Sequence, residues 1–295
     1  MSVDNIMSKR IGIFYDNTLG RNDGNPLYVW RSLRDDFKDK GISVVHLIPK
    51  EDMKDFGKFD LNIWVDWGED ALKGVLSYEP LFPEHPNAYW ASDTHLGYEY
   101  RLETAKKFDY VFCAQKRACE EFKRDGIKNP IWLPHAVEPR AYPNNPVAIK
   151  KYDICFIGFI NGDKRTDALT RMFGEFPNFN YDSGIFFDKV ADEYRKSRIC
   201  FNIAVKDDIN MRMFEIMATG SFLLTEWLPT IEEYFKDGVH CVMYKTLDEA
   251  VEKAKYYLKH EDEREKVAKA GMEEVFAKHT IKHRVETMLK TANLI

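Results

Sequence analysis

Short apolar runs that alternate with amphipathic stretches constrain the fold of this chain more than any other feature. Runs that are apolar throughout are typical of strands buried on both faces of a parallel sheet, where helices cover each side. Between the first two runs, one face of a helical pattern carries Leu27, Leu33 and Phe37. The runs of the first half span residues 11–15, 43–48, 61–65, 88–90, 110–114 and 131–133.

A second series of the same kind follows. Its apolar runs cover residues 154–157, 199–204, 222–225 and 239–244, and its helical patterns cover 165–173, 210–219 and 247–259. Strands that alternate with helices form right-handed βαβ units around a parallel sheet. The sequence therefore predicts an α/β protein with two doubly wound, Rossmann-like domains.

The boundary between the two series is predicted where proline and asparagine gather, in residues 139–146. Proline stops both a helix and a central strand, so this segment is typical of a linker. The predicted domains are residues 1–145 and 146–295, with a last helix that is free to cross back to the first domain. Thr246 and Glu249 form a capping box that predicts the start of a helix.

Composition narrows the class of protein. The chain has 295 residues, 44% of them hydrophobic, which excludes a disordered or fibrous protein. Its 48 acidic and 43 basic residues give a net charge of -5, so no overall positive field attracts nucleic acid or an anionic membrane. The five cysteines form no CxxC pair. With no signal-peptide core and no long apolar span, we expect a cytoplasmic location.

Ligands of open α/β sheets lie beyond the carboxyl ends of the strands, so the loops after the strands are the candidate sites. The first of these loops, residues 16–26, is polar and contains two glycines. It lacks the GxGxxG spacing, which disfavours a Rossmann dehydrogenase. It is either a flexible turn or a loop that contacts an acceptor or a phosphate.

The loop that follows the first strand of the second series predicts an anion site. Gly158 and Asn161 precede a helix start that carries Lys164 and Arg165. Free backbone amides at a helix start, with two cations beside them, suit a diphosphate. The P-loop spacing GxxxxGK[ST] is absent, so a P-loop ATPase is disfavoured. The alternative is a plain exposed turn.

The most informative loop runs from Asp207 through Asn210 into a helix that ends at Gly220. Arg212 and Glu215 lie three residues apart on this otherwise apolar helix. Buried charge is costly unless it is matched, so the pair indicates a ligand site. The equally weighted alternative is an ion pair between the two side chains on the protein surface.

These segments resemble a known family. MRMFEIMATGSFLLTE, with DICFIGFINGDKR before it, is similar to the nucleotide-sugar-binding domain of GT-B glycosyltransferases. The group that contains the spore maturation protein CgeB is the nearest, and AYWASDTHLGYEYR and IWLPHAVEPRAYP in the first half also match it. The resemblance extends from about residue 88 onward. It implies two Rossmann-like domains that face a cleft.

The resemblance also implies residue roles. Glu215 matches the second acidic residue of the E-x7-E element of retaining family 4 enzymes, which holds the donor ribose. Asp207 stands where that element has glutamate, and Asp208 is the alternative to it. Asn210 and Arg212, with the Gly158–Arg165 loop, would hold the diphosphate. Fixed cations replace a metal in such enzymes, so we expect no cofactor and a UDP- or GDP-sugar donor.

The loop after the run 88–90 offers acid–base chemistry. Asp93 and His95 lie two residues apart there, and a histidine suits general-base catalysis near neutral pH. In an inverting transfer one of them is the base for the acceptor hydroxyl. In a retaining transfer, which the family 4 likeness favours, the departing phosphate takes the proton and they position the acceptor. The alternative is a surface turn. His135 is either a ligand contact or a packed hinge residue.

The predicted function is therefore metal-independent transfer of a sugar to a hydroxyl of a glycan, a lipid-linked glycan, a protein or a modified base. One alternative is a nucleotide-sugar-binding protein that has lost transfer, because Asp207 departs from the family pattern. Another is a glycosyltransferase of modified DNA bases. The acidic balance disfavours it, since phosphate contacts need clustered cations. In the first domain such a cluster is limited to Lys116, Arg117, Lys123 and Arg124.

Overall fold

The computed structural model describes residues 8–14, 24–47, 59–66, 86–142, 149–160, 162–185, 188–204 and 208–295. The chain divides into two compact units. The first comprises Met1–Pro134 with Ile281–Ile295, and the second comprises His135–Thr280. The division between the units lies between Pro134 and His135, before the proline-rich segment 139–146 in which the boundary was predicted. Val137 explains this, because it forms a parallel bridge to Thr280 and donates its N–H to the carbonyl of His279 at 3.1 Å.

The first unit contains a six-stranded sheet in the order β2-β1-β3-β4-β5-β6, and every pair of neighbouring strands is parallel. The chain moves from β1 to one neighbour and then crosses to the other, so the strand order reverses between β1 and β3. The strands are β1 (Lys9–Phe14), β2 (Ile42–Leu47), β3 (Leu61–Val65), β4 (Asn87–Ala91), β5 (Tyr110–Cys113) and β6 (Ile131–Trp132).

The core of the first unit follows from these strands. Every residue of β3 and β4 is buried, as expected for central strands with both faces covered. The described helices of this unit are α1 (Asn25–Asp36), α2 (Tyr98–Ala105), α3 (Lys116–Arg124) and, at the end of the chain, the helix Ile281–Thr291. Tyr98–Ala105 and Lys116–Arg124 were not predicted from the sequence.

The second unit contains a five-stranded parallel sheet in the order β11-β10-β9-β7-β8. Its strands are β7 (Tyr152–Ile157), β8 (Phe179–Asp182), β9 (Ser197–Asn202), β10 (Leu223–Glu226) and β11 (Val242–Tyr244). The helices are α4 (Asp163–Glu175), α5 (Asp188–Lys196), α6 (Met211–Ala218), α7 (Pro229–Glu232), α8 (Leu247–Lys259) and α9 (Glu261–Lys278), and the chain ends with α10 (Ile281–Thr291) of the first unit. The prediction of two doubly wound sheets is confirmed.

Two features of the second unit test the local rules. Helix α8 begins where the capping box predicted, with the Thr246 hydroxyl accepting from the N–H of Glu249 at 3.2 Å. Strand β8 was missed by the sequence analysis. It is an edge strand whose four residues are all at least partly exposed, so it lacks an apolar run.

Candidate functional site

The strand order of the second unit places its candidate site between β7 and β9. The chain leaves β7 toward β8 and returns to β9 on the other side, so the loops that follow these two strands diverge. Such a switch point forms a crevice at the carboxyl ends of the strands. Gly158 and Ile203 are the first loop residues there. Arg165, Asn210 and Arg212 contact this edge.

Arg212 lies in the first turn of α6 and reaches back over β7. Its guanidinium carbon is 4.5 Å from the centre of the Phe156 ring, and Nη1 donates to Oδ1 of Asn202 at 3.1 Å. A Cβ atom on Gly158 would lie 2.1 Å from Nη2 of Arg212, and the φ angle of Gly158 is +149°. The position therefore requires glycine so that the guanidinium can cross the backbone.

Arg165 brings a second guanidinium to the same ring. It lies 5.9 Å from the centre of Phe156 and donates to the carbonyl of Phe159 at 3.0 Å. Burial and then the nearby charge of Arg212 lower the pKa of Arg165 to about 10. Its Nε is buried and has no hydrogen-bond partner. Within the described ranges no carboxylate forms an ion pair with either guanidinium.

An asparagine pair holds this cluster in place. Asn210 donates to Oδ1 of Asn202 at 3.2 Å, and Asn202 donates in turn to the hydroxyl of Thr225 at 3.0 Å. Oδ1 of Asn210 is buried and has no hydrogen-bond partner. It is an acceptor left unused within the cluster. The sequence analysis predicted Asn210 but missed Asn202, a polar residue that ends an apolar strand.

Lys164 differs from the two arginines. Its ammonium lies 2.7 Å from a carboxylate oxygen of Glu226, and the lysine side chain is exposed. Because Glu226 already balances its charge, Lys164 adds less to the positive potential of the site than Arg165 and Arg212 do.

Glu215 lies one turn after Arg212 on α6. The two side chains do not form the surface ion pair that was the alternative interpretation. Instead, one carboxylate oxygen accepts from the hydroxyl of Tyr142 at 2.5 Å. Burial raises the pKa of Glu215, while the Tyr142 hydrogen bond and the charges of Arg212 and His135 lower it in part. His135, itself buried, thus lies near the site in the second unit.

Two predicted site residues, Asn161 and Asp207, lie outside the described residues, as does most of the loop 16–26. Asp208, the alternative to Asp207, is buried. The roles assigned to Asn161 and Asp207 stay predictions.

In the first unit, Asp93 and His95 lie in a turn after β4. Asp93 is exposed and adopts a left-handed conformation with a φ angle of 45°, and His95 is half-buried in the 3₁₀ turn Thr94–Leu96. The N–H of Leu96 closes this turn on the carbonyl of Asp93 at 2.8 Å. The exposed carboxylate is accessible to a ligand from solvent.

A buried ion pair, which the sequence analysis missed, holds this turn. Nε of Arg101 lies 2.6 Å from Oδ2 of Asp66 and 2.6 Å from the carbonyl of Ser92, and both charged side chains are about fully buried. Asp66 directly follows β3, at the strand-order reversal of the first sheet. This pair could not be predicted from a short sequence motif, because Arg101 and Asp66 are 35 positions apart in the sequence.

Two of the four basic residues on α3 form ion pairs with neighbouring carboxylates. Arg117 pairs with Glu121 at 2.8 Å, Arg124 pairs with Asp125 at 2.9 Å, and Lys116 lies 5.1 Å from the centre of the Trp132 ring. The two ion pairs reduce the charge that this helix presents to a polyanion.

In the part of the chain that the structure describes, no group of three His, Cys, Asp or Glu side chains is arranged to hold a metal ion. None of the described helices is both long and apolar enough to cross a membrane.

Comparison with known proteins connects this geometry to a class of enzymes. A family model described as glycosyl transferase-like matches residues 159–290, which include Arg165, Arg212 and Glu215. No curated protein matches the sequence.

Solved structures share the fold over 97% of this chain. HepE from Anabaena in complex with UDP and glucose has a TM-score of 0.69 at 9% identity, over 97% of this chain and 100% of its own. An alpha-glucosyltransferase in complex with UDP and a 13-mer DNA containing a HMU base has a TM-score of 0.68 at 12% identity. The match covers 97% of this chain and 100% of that enzyme. Sucrose-phosphate synthase from Thermosynechococcus elongatus has a TM-score of 0.64 at 10% identity. The match covers 97% of this chain and 98% of that protein.

Identities this low show the fold, which is the two-domain Rossmann-like GT-B fold predicted from the sequence. The family match over residues 159–290 supports a glycosyltransferase. The narrower resemblance to the CgeB group is not among these matches and stays a prediction.

Proposed function

We propose that this protein transfers a sugar from a nucleoside diphosphate sugar, of the UDP type, to a hydroxyl group of an acceptor. The observation that carries this proposal is the pair of guanidinium groups of Arg165 and Arg212, which share the Phe156 ring and form no ion pair with a carboxylate of the described residues. Structural neighbours that were solved with UDP or UDP-glucose support UDP as the nucleotide.

The pyrophosphate would be bound by charge and by backbone amides. Its two negative charges would offset the repulsion between Arg165 and Arg212 and would give the buried Nε of Arg165 a partner. The N-terminus of α4, where no side chain caps the first turn, adds free N–H groups and a positive dipole end. Gly158 leaves the space for this approach.

The ribose would be held by Glu215. A carboxylate that accepts two hydroxyl hydrogens is a sound clamp for a vicinal diol. Glu215 is on the same helix as Arg212, one turn further on, so the clamp and the phosphate site have a fixed spacing. The family 4 likeness assigns the same role to this position.

We propose a retaining reaction without a metal. The bond between the anomeric carbon and the β-phosphate oxygen breaks, a bond from the acceptor oxygen to that carbon forms, and the acceptor proton passes to the departing phosphate. The products are a nucleoside diphosphate and a glycoside. Negative charge develops on the leaving phosphate, and the two fixed guanidinium groups stabilise it without reorganisation. Asp93 and His95 position the acceptor, and Asp207 contacts the donor sugar.

A thermal-shift screen of UDP, GDP and their sugars tests the donor site. A ligand at 100 times its dissociation constant stabilises a protein by about 2.7 kcal/mol, which raises the Tm measurably. We expect UDP to raise the Tm of the wild type, and Arg212→Ala and Glu215→Ala to abolish the shift. Arg171→Ala is the matched control, because Arg171 is an exposed arginine of α4 that pairs with Glu175. Equal shifts in all variants would remove both residues from the site.

A second assay tests the reaction. Incubation with a UDP-sugar and a panel of hydroxyl acceptors should release UDP at the same rate with and without EDTA. NMR of the product should show the anomeric configuration of the donor. UDP binding without any release would favour the sugar-binding alternative, and loss of activity in EDTA would contradict metal independence.

A further inference from the structure

Tyr142 is the only side chain of the described residues that hydrogen-bonds to the carboxylate of Glu215. It directly follows the 3₁₀ turn Pro139–Ala141 and is 4% exposed. Because the sequence places Tyr142 in a linker, nothing in the sequence analysis assigned it a role.

The backbone of the described segment that leads up to the tyrosine is fixed by hydrogen bonds. The carboxylate of Glu138, which is fully buried, accepts from the backbone N–H of Arg140 at 3.0 Å and from its Nε at 2.6 Å. The N–H of Tyr142 closes the turn on the carbonyl of Pro139 at 3.2 Å. The tyrosine hydroxyl is therefore held by a rigid turn and not by a flexible linker.

This contact divides the Glu215 carboxylate into two unequal oxygens. The Tyr142 hydroxyl occupies Oε1 at 2.5 Å. An ionised carboxylate has about four acceptor positions on two oxygens, so Oε2 is left to receive ligand hydroxyls. A hydrogen bond to one oxygen also fixes the rotation of the carboxylate plane, which determines where the other oxygen points.

We propose that Tyr142 is a positioning residue that selects ribonucleotide donors, because its hydroxyl fixes Glu215 so that Oε2 accepts from the ribose hydroxyls. The proposal rests on the proposed function, in which Glu215 is the ribose clamp. It adds a residue outside the E-x7-E element and assigns it the discrimination between ribose and deoxyribose.

The charges around Glu215 explain why the hydroxyl is needed. Burial raises the pKa of Glu215 and favours the protonated form, which accepts poorly. Three groups lower the pKa of Glu215 and so oppose the effect of burial. They are the Tyr142 hydroxyl, Arg212 on the same helix and His135 from the segment after β6. Tyr194 also faces Glu215, from α5, but it is neutral because burial raises its pKa. Loss of the Tyr142 hydroxyl would therefore raise the pKa of Glu215 further.

A double-mutant cycle read with two nucleotides tests the proposal. Calorimetry gives the Kd of UDP and of 2′-deoxy-UDP for the wild type, Tyr142→Phe, Glu215→Gln and the double variant. Hydrogen bonds to charged groups are worth roughly tenfold or more in binding, so we expect Tyr142→Phe to weaken UDP about tenfold and 2′-deoxy-UDP much less. The double variant should match Glu215→Gln, because Tyr142 acts through that carboxylate.

The pH dependence separates positioning from a structural role. Below the pKa of Glu215 the carboxyl is protonated and UDP binding weakens, so affinity falls as the pH is lowered. In Tyr142→Phe this fall should begin at a higher pH than in the wild type, and in Glu215→Gln only the fall that protonation of the terminal phosphate of UDP causes should remain. A variant that had merely lost stability would bind less UDP without moving the pH midpoint.

Tyr98→Phe is the matched control, because Tyr98 also donates to a carboxylate, that of Asp125 at 2.6 Å, but belongs to the first unit. It should leave both Kd values unchanged. The inference would be overturned if Tyr142→Phe distinguished UDP from 2′-deoxy-UDP as well as the wild type does. It would also be overturned if the losses of UDP affinity in Tyr142→Phe and Glu215→Gln were additive. Either result would leave the donor site intact. A wild type that binds neither nucleotide would instead refute the proposed function and this inference with it.

Discussion

The two units of this protein place arginine in opposite electrostatic surroundings. In the first unit, Arg101 is matched by Asp66 at 2.6 Å and by a backbone carbonyl, and both side chains are almost fully buried. In the second unit, Arg165 and Arg212 share one aromatic ring, and the charge of Arg212 lowers the pKa of Arg165. Both clusters lie at the carboxyl ends of strands beside a reversal of strand order.

This contrast distinguishes charges that support the fold from charges that are available to a ligand. A buried charge with a complete set of partners is already compensated, so it holds its loop in place. Like charges without a counter-anion raise the energy of the ligand-free protein, and an anion lowers it. The same residue type thus has a structural role in one sheet and a proposed binding role in the other.

The largest expected effect comes from breaking the matched pair. Asp66→Asn leaves the guanidinium of Arg101 buried and uncompensated, which typically costs about 3–5 kcal/mol of unfolding free energy. Urea unfolding followed by tryptophan fluorescence measures the loss, since Trp64 and Trp90 are buried in the first unit. The double variant Asp66→Asn, Arg101→Leu should recover part of that loss. A change below about 1 kcal/mol in the single variant would show that the pair is not structural.

We expect an intermediate effect from a substitution that places a methyl group beside the Arg212 guanidinium. In Gly158→Ala the new Cβ would collide with Nη2 of Arg212 and displace the guanidinium. We expect UDP affinity to fall by about tenfold, the loss of one charge-assisted contact. A destabilisation of about 1–2 kcal/mol should accompany it, because alanine is strained at this φ angle.

Gly238→Ala separates the two causes in that experiment. Gly238 also has a positive φ angle, of +71°, but nothing lies within 4 Å of a Cβ built there. This variant should lose stability and keep its UDP affinity. Equal loss of affinity in both variants would mean that strain, and not the displaced arginine, weakens binding.

The smallest expected effect is on the stability of the ligand-free protein. Arg165→Met removes one of two repelling guanidinium groups and an unpartnered buried Nε, at the expense of a hydrogen bond to the carbonyl of Phe159. We expect the Tm without ligand to stay within about 2 °C of the wild type or to rise, and the UDP shift to disappear. Arg212→Met, which loses the bond to Asn202, should lower the Tm. A large drop in Tm for Arg165→Met would show that its charge is already compensated.

Much of the fold was predictable from local patterns. Residues 61–65 were predicted as a strand with the bounds that β3 has, and residues 247–259 as a helix with the bounds of α8. Buried parallel strands and capped helices carry their signal within a few residues. Strand β8 was missed because an edge strand is half-exposed and need not be apolar.

The candidate site was predictable only where its residues are close in sequence. Arg212 and Glu215 stand out because a charged pair interrupts an apolar helix. Asn202, Tyr142 and Asp66 do not stand out, since their partners lie 10, 73 and 35 positions away. Such contacts are set by the order of strands in the sheet, which a local pattern does not encode.

Local sequence patterns were enough to predict two parallel α/β sheets and the loops in which a ligand site should lie, because apolar periodicity and the rule of carboxyl ends act over short distances. The tertiary structure alone decided which charges are matched. Arg101 received a carboxylate and Arg165 received a second guanidinium, since each neighbour was brought in by packing between distant segments.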